Sequence, residues 1–366
     1  MKPTSLYVHI PFCHHICAYC DFAKVYYHAK WADDYLEVLQ KELEDRQANR
    51  PFETVFIGGG SPSALNEKQL EKLLQILALP LDNPKEATIE VNPEDMTFEK
   101  AELLAKAKID RVSIGVQTFD ATILKELGRH HTLQDVEKTV EMLVAVGIQR
   151  ISFDLIYGLP HQSLSHLQKD LEIIKCFPMV THISFYNLIL EEHTRFAKEG
   201  ITLPDEKWLL EAQKIIVEGL AKQGFKRYEV SNYAKEGQAS LHNQVYWHNE
   251  RYIGIGCGAS GYIDQIRYDN TKSLSYYLKG KILAQETRLE IEDEIFEHLM
   301  LGLRLCKGIS LKGFEQRYNQ DVFEIYGEKL SQYIRLGYLE LVDDYLRTTP
   351  LGMDILDEML LGLMDE

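Results

Sequence analysis

The sequence predicts an α/β protein, an incomplete parallel (β/α)6 barrel followed by a mostly helical C-terminal domain. Three patterns predict it. Apolar, β-rich runs alternate with segments of helical period, and the runs are apolar almost throughout, as strands are when both faces are covered. Successive strand–helix units require right-handed parallel crossovers. Polar residues interrupt the apolar strands at the same end each time, the end where barrels of this kind carry chemistry.

The six strand candidates are Leu6–Pro11, Thr54–Ile57, Ala87–Val91, Arg111–Val116, Arg150–Ile156 and His182–Leu188. Between them lie Trp31–Gln47, Glu67–Leu79, Phe98–Lys108, Leu133–Val146 and Leu164–Phe177, each with apolar residues at i, i+3, i+4 and i+7. A further amphipathic helix, Trp208–Phe225, precedes a strand-like Tyr228–Tyr233 and a loop at Gly237–Ser240. From Glu290 the period is helical again, and Tyr338–Val342, Tyr345–Thr348 and Pro350–Leu363 read as a hairpin and a helix. The expected division is a barrel with its extension over 1–235 and a second domain over 236–366.

The formal charge of -16 argues against nucleic acid as a partner, because holding phosphates requires a basic footprint. No run of about eighteen apolar residues is present, as a membrane helix would need, and a cytoplasmic protein is expected. Six cysteines in 366 residues do not make a disulfide framework. Cys176, Cys257 and Cys306 are scattered and expected to be buried core thiols. Cys13, Cys17 and Cys20 form a group, presented from one loop at spacings of x3 and x2.

Three thiols are one short of the four that a [4Fe–4S] cube normally takes, which would leave one iron open to a chelating small molecule. The other candidate for this loop is structural zinc with His14 or His15 as a fourth ligand. Structural zinc usually draws on two separated pairs, and no second pair is visible. The remaining strand ends offer Gly58-Gly59-Gly60-Ser61-Pro62, Glu90 with Asn92-Pro93-Glu94, Gln117, Asp154 and Tyr186-Asn187. Gly256-Cys257-Gly258-Ala259-Ser260-Gly261 fits a dinucleotide fingerprint in spacing alone, because no βαβ unit surrounds it. It is expected to be a tight loop lining the cofactor pocket.

Cys-x3-Cys-x-aromatic-Cys after a first strand, with Gly-Gly-Gly-Ser-Pro after the second, resembles the radical S-adenosylmethionine superfamily. Tyr7-Val-His-Ile-Pro-Phe-Cys13, Gly115-Val-Gln117 and Asp154-Leu-Ile-Tyr-Gly-Leu-Pro160 more narrowly resemble the oxygen-independent coproporphyrinogen III oxidase family and its paralogues. The resemblance implies a [4Fe–4S] cluster on Cys13, Cys17 and Cys20, and S-adenosyl-L-methionine on its open iron. It implies that Tyr7 lies near the sulfonium and Tyr19 contacts the adenine. It further implies that Gly59, Gly60 and Ser61 approach the methionine amino group, while Glu90, Gln117, Arg129 and Asp154 hold the methionine and ribose. Those residue types suit a zwitterion with a diol.

Two departures from the oxidases stand out. Phe22 occupies the position of their fourth cysteine, and the chain begins twelve residues before Cys13, without their longer N-terminal extension. His242-Asn243-Gln244-Val245-Tyr246-Trp247 instead resembles a signature of the HemW-type haem chaperones. That resemblance implies haem as a ligand and haem-acceptor proteins as partners, with His242 as the candidate haem residue. His14, His15, His130, His131 and His248 compete with it. Contact with membrane-bound acceptors, a cluster-dependent dimer and cleavage of S-adenosylmethionine are left open. The alternative is the oxidative decarboxylase itself.

Overall fold

The structure is a computed structural model, and it describes residues 3–364. Six strands come from the barrel half of the chain: β1 Ser5–Ile10, β2 Thr54–Gly59, β3 Glu86–Val91, β4 Arg111–Gln117, β5 Arg150–Tyr157 and β6 Val180–Asn187. Six more follow: β7 Lys226–Arg227, β8 Asn232–Ala234, β9 Tyr252–Ile255, β10 Ser260–Ile263, β11 Ile266–Asn270 and β12 Leu283–Arg288. They form one open sheet in the order β12-β11-β10-β9-β1-β2-β3-β4-β5-β6-β8-β7. Every pair from β9 through β1 to β6 is parallel, and the pairs outside that run are antiparallel.

The incomplete parallel barrel is therefore present, with a seventh parallel strand that the sequence pattern did not reveal. This strand, β9, is only four residues long, too short for a periodic signal. The hairpin beyond it turns at Asp264-Gln265, both with positive φ (47° and 64°). An Asp at the first position of such a turn is a readable hairpin signal. The strand expected at Tyr228–Tyr233 is two short pieces instead, because Glu229 between them is buried and bridges to Leu305.

The expected helices form as α1 Ala29–Asp45, α2 Glu67–Ile76, α3 Phe98–Lys106, α5 Leu133–Ala145, α6 Leu164–Ile174 and α7 Glu206–Ala221. Each start has its chemistry. Asn66 and Gln69 make a reciprocal capping box on α2, and Thr132 with Asp135 makes one on α5. A helix missed in the sequence, α4 Ala121–Leu127, begins where Asp120 accepts from the Thr122 and Ile123 N–H groups and ends at left-handed Gly128. Two turns give too few apolar repeats to count, although the Asp…Gly bracket was legible.

The segment of the His-Asn-x-x-Tyr-Trp motif is helical, α8 Leu241–Trp247. Its N-terminal amides are held by Glu86, which accepts from the His242 N–H at 3.0 Å, the Leu241 N–H at 3.1 Å and the Ser240 hydroxyl at 2.8 Å. The same carboxylate pairs with Arg111 at 3.2 Å and Arg150 at 2.8 Å. Burial alone would push the Glu86 carboxyl up, but Arg111, the His242 N–H and Arg150 outweigh it and hold it below its ordinary range.

The apolar interior has two large cores and a small cluster under the cysteine loop. One core runs from Leu6 to Tyr277 and the other from Ile295 to Leu363. The second gathers α9 Ile291–Gly302, α10 Leu311–Tyr318, α11 Val322–Arg335 and α12 Leu356–Met364 with the hairpin Leu339–Val342/Tyr345–Thr348. The expected single tail helix breaks at Ile355, whose φ of -122° is not helical. Residues 252–288 pair into the barrel sheet, so we propose that the boundary between the two units lies between β12 and α9. Glu294 on α9 fastens them, accepting from Arg251 at 3.0 Å and Arg317 at 2.9 Å. Of the scattered cysteines Cys257 is buried, but Cys306 is half-buried and Cys176 is exposed. Cys176 follows the last turn of α6, off its apolar stripe, so its expected burial fails. Among the described residues no helix is long and apolar enough to cross a membrane.

Replacing Glu86 with Ala would leave Arg111, only 2% exposed, without its carboxylate. Breaking a buried pair from one side costs about 3–5 kcal/mol. The expected outcome for Glu86→Ala is a clear fall in the urea midpoint of the cluster-free protein, and an unchanged midpoint would contradict this role.

Candidate functional site

The C-terminal ends of the parallel strands meet at one rim, around a cavity of about 420 Å³. Cys13, Cys17, Tyr19, Cys20, Gly59, Gly60, Ser61, Glu90, Gln117, Arg129 and Asp154 all line it. Residues more than 140 positions apart in sequence thus share one wall because parallel pairing puts every strand's end on the same side. Tyr7 is the exception in this group. It lies on the walls of two neighbouring cavities, with its hydroxyl 2.9 Å from His9 Nδ1.

The cysteine loop is stapled from three sides. The Ala18 N–H donates to the Leu127 carbonyl at 2.9 Å, and the Phe196 N–H donates to the Ala18 carbonyl at 3.1 Å. Ala18 itself is buried in a small cluster with Ile123, Leu127, Ile156, Leu159, Leu188 and Phe196. Lys24 donates to the carbonyls of Cys20 and Phe22. The unforeseen helix α4 is therefore what seats the loop. Cys13 is buried, and burial pushes its thiol up to about 12, with Cys20 and Cys17 adding to the rise. Burial also raises Cys20.

The glycines are cramped for a reason. A Cβ on Gly60 would lie 2.9 Å from Cys13 Sγ, and Gly59, at φ +116°, has the His9 ring 2.6 Å from where its Cβ would be. Only a residue without a side chain lets this turn lie against both. The Gly59 N–H donates to Glu90 Oε2 at 2.9 Å.

Burial, and then the neighbouring Asp154, push the Glu90 carboxyl up to about 8. Burial raises Asp154 as well, against hydrogen bonds from Ser184 and Ser113. The Ser113 hydroxyl lies 2.9 and 2.8 Å from its two oxygens. Two carboxyls thus face the cavity in a setting that disfavours their charge, a setting that suits donors arriving with a ligand. Opposite in sign is Arg129, which donates to Asn92 Oδ1 and hydrogen-bonds Tyr19, while its buried Nε has no partner. Gln117 holds φ +66° beside a bulge at Gly115/Gln117, backbone strain of the kind concentrated at ligand sites.

The three thiols, the orphaned guanidinium nitrogen, the desolvated carboxyls and the glycine cradle fit a thiolate-bound cluster with a zwitterionic ligand. The two histidines of the loop that could add a fourth ligand to the thiols have other partners. His14 is engaged by Asp95 at 2.7 Å, and His15 packs against His130 with ring centroids 4.1 Å apart.

His242 is buried, and both of its ring nitrogens are committed. Thr54 Oγ1, whose proton goes to Ser5, lies 2.8 Å from Nδ1, and the Tyr246 hydroxyl lies 2.8 Å from Nε2. The ring stacks on Phe56 at 5.3 Å, and burial lowers its pKa to about 4. As placed, both nitrogens are taken up by these hydrogen bonds. Of its competitors, His131 is buried with Nε2 3.1 Å from the Val116 carbonyl, and His248 is half-buried. The loop at Gly256–Gly261 does not reach the cysteine cavity. Gly258 and Ser260 line the cavity beside it.

Sequence reasoning missed His9. Its Nε2–H donates to the Ala23 carbonyl at 2.8 Å, which leaves Nδ1 to accept from Tyr7 and ties strand β1 to the end of the cysteine loop. The i, i+2 spacing of Tyr7 and His9 on a strand was the available signal, since it puts both on one face.

Residues 7–174 match the Radical SAM superfamily, and residues 289–355 match the HemN C-terminal domain. The chain is 40% identical over 363 residues to a Lactococcus lactis protein named heme chaperone HemW, covering 97% of this chain and 95% of that one. It is 34% identical over 377 residues to the Bacillus subtilis protein of the same name (99% of each), and 34% over 375 residues to that of Escherichia coli (98% of each). Among solved structures, coproporphyrinogen III oxidase (HemN) from Escherichia coli superposes with a TM-score of 0.85 over 99% of this chain and 90% of that one, at 22% identity. That likeness speaks to the fold alone.

The Glu90 shift has a measurable sign. A carboxyl whose folded-state pKa is raised binds more protons folded than unfolded, so its contribution to stability falls as pH rises from its unfolded value towards about 8. In cluster-free protein, Glu90→Gln is therefore expected to gain stability relative to wild type progressively between about pH 5 and pH 8. A difference independent of pH, read from urea midpoints, would contradict it.

Proposed function

Because the chain belongs to the HemW family of radical S-adenosylmethionine proteins, we propose that it is a haem chaperone that binds haem and delivers it to acceptor proteins. The observation that carries this reading is near-complete alignment, at 34–40% identity, with relatives that bear that name. The companion proposal is that the cysteine cavity holds a [4Fe–4S] cluster and S-adenosylmethionine. When bound, that pair supplies one-electron chemistry belonging to the cofactors themselves.

The chain's own residues divide the work of holding them. Cys13, Cys17 and Cys20 would supply the thiolates from a loop fixed by α4 and Lys24. Gly59, Gly60 and Ser61 bring backbone close to the methionine amino group. Glu90 and Asp154 accept from amino or hydroxyl protons, which relieves their burial, and Arg129 pairs with the methionine carboxylate through its unpartnered edge. Gln117 adds a neutral contact, and Tyr19 presents its ring to the adenine. Tyr7 is held by His9 one wall away, on the side where an adjoining cavity opens. His242 has a supporting role in this account, joining β2 to α8 through Thr54 and Tyr246.

The oxidase alternative has the shared fold behind it, but Phe22 stands where the oxidases carry a fourth cysteine. The two readings separate in one assay. Reconstituted protein incubated with coproporphyrinogen III, S-adenosylmethionine and reductant is expected to release no protoporphyrinogen at catalytic turnover, while haemin added to the same protein gives a saturable Soret change. Turnover to protoporphyrinogen would overturn the chaperone reading. The cluster is tested separately by anaerobic reconstitution. About four irons per chain are expected, falling sharply in Cys17→Ala, and fewer than about three in wild type would count against it. His242→Ala is expected to leave the Soret position unchanged, since neither nitrogen is free.

A further inference from the structure

A second cavity, of about 600 Å³, lies beside the cysteine cavity and shares Asp21 and Phe22 with it. Both volumes fall in the range of small-molecule sites. The proposed function assigns the cysteine cavity to the cluster and S-adenosylmethionine and leaves this one without a ligand. Its walls combine the rings of Tyr7, Phe22, Tyr246 and Tyr252 with the ammonium of Lys272 and the carboxyls of Asp21 and Asp269.

Three observations show what chemistry this lining would recognise. Phe22 is 60% exposed, although it lies on the partition between two cavities, and no ring among the described residues packs against it. Tyr246 meets Tyr252 edge-on with ring centroids 4.8 Å apart, so the two form a braced aromatic wall. Lys272 is exposed and pairs with no described carboxylate, yet lies near enough for its charge to help lower the pKa of His9. Of the two acids on this lining, Asp269 accepts from the Ser260 hydroxyl, and Asp21 lies on the partition with Phe22. Aromatic rings beside a lysine that pairs with no described carboxylate suit a planar macrocycle with a peripheral carboxylate.

We propose that this cavity is the haem site, with the macrocycle stacked on Phe22 and a propionate directed to Lys272. The proposal rests on the haem-chaperone reading and locates its cargo. The cavity also gives the His-Asn-x-x-Tyr-Trp motif a role that His242 does not fill directly. His242 accepts the Tyr246 hydroxyl proton from within the wall and so fixes the ring that faces the cavity. Placing haem beyond Phe22 puts it next to the cysteine loop, while S-adenosylmethionine keeps its own cavity. A site built on stacking and one ion pair, without a committed iron ligand, also suits a cargo that must be released.

Haemin titration of the cluster-reconstituted protein, at matched iron content, tests it. Phe22→Ala is expected to weaken haemin affinity about tenfold, in line with the loss of an aromatic stacking pair. Phe22→Trp is expected to retain affinity, and Phe98→Ala, an exposed aromatic on a different face, to match wild type. Lys272→Met should weaken haemin but leave haemin dimethyl ester unaffected, and it stands off the cysteine loop, so its result is independent of the cluster. Wild-type affinity in both Phe22→Ala and Lys272→Met would overturn this site while leaving the chaperone reading intact. Absence of saturable haemin binding by wild type would overturn the reading and the site together.

Discussion

The parallel register of the strands from β9 through β1 to β6 is the constraint on which everything else depends. Pairing Glu90 with Ser113, and Gly115 with Asp154, fixes which side chains are neighbours at the rim. It also puts the cysteine loop, the glycine turn and two carboxyls around one cavity. No single contact in that cavity needs to be strong. The sheet's hydrogen bonds hold the donors in place before any ligand arrives, so the ordering entropy is already lost on folding and not on binding.

That preorganisation has a cost visible in the same residues. Glu90 and Asp154 are desolvated, with Arg129 acting on them only at a distance, Gln117 is left at positive φ, and Arg129 has a buried nitrogen without a partner. The carboxyls and the guanidinium would be relieved by a ligand bearing an amino group, hydroxyls and a carboxylate. Two buried carboxylates away from the rim are paired with cations. Glu86 has two arginines, a hydroxyl and two backbone amides, and Glu294 has two arginines. The contrast separates residues that stabilise the scaffold from residues poised for something absent from it.

Much of this was legible in the chain. Apolar runs of six to eight residues announce strands covered on both faces, and polar interruptions at one end announce the rim, so eleven predicted residues line one cavity. The features that escaped are short or depend on distant partners. Helix α4 has seven residues and β9 has four, too few to show a period, yet the first seats the cysteine loop and the second extends the parallel run. Tyr7 lies one cavity away from the other predicted contacts because His9 holds it, an interaction between two side chains on one strand face. The hydrogen bonds of His242 were not legible because its partners, Thr54 and Tyr246, come from a strand 188 residues away and from the next turn of its own helix. Spacing reveals which residue types are gathered, but it does not reveal which of their atoms are already taken.

Phe22 joins the two halves of the account. It lies two residues past Cys20, and it forms the partition between the cavity assigned to S-adenosylmethionine and the one assigned to haem. The measurement that tests the central claim most directly is haem transfer. Cluster-reconstituted protein loaded with one equivalent of haemin is mixed with an apo-haemoprotein, and the acceptor's Soret band and recovered activity are followed. The account predicts transfer faster than from free haemin at the same concentration, leaving the chaperone haem-free and its cluster intact. Haem that stays on the protein, or passes over no faster than free haemin, would contradict it.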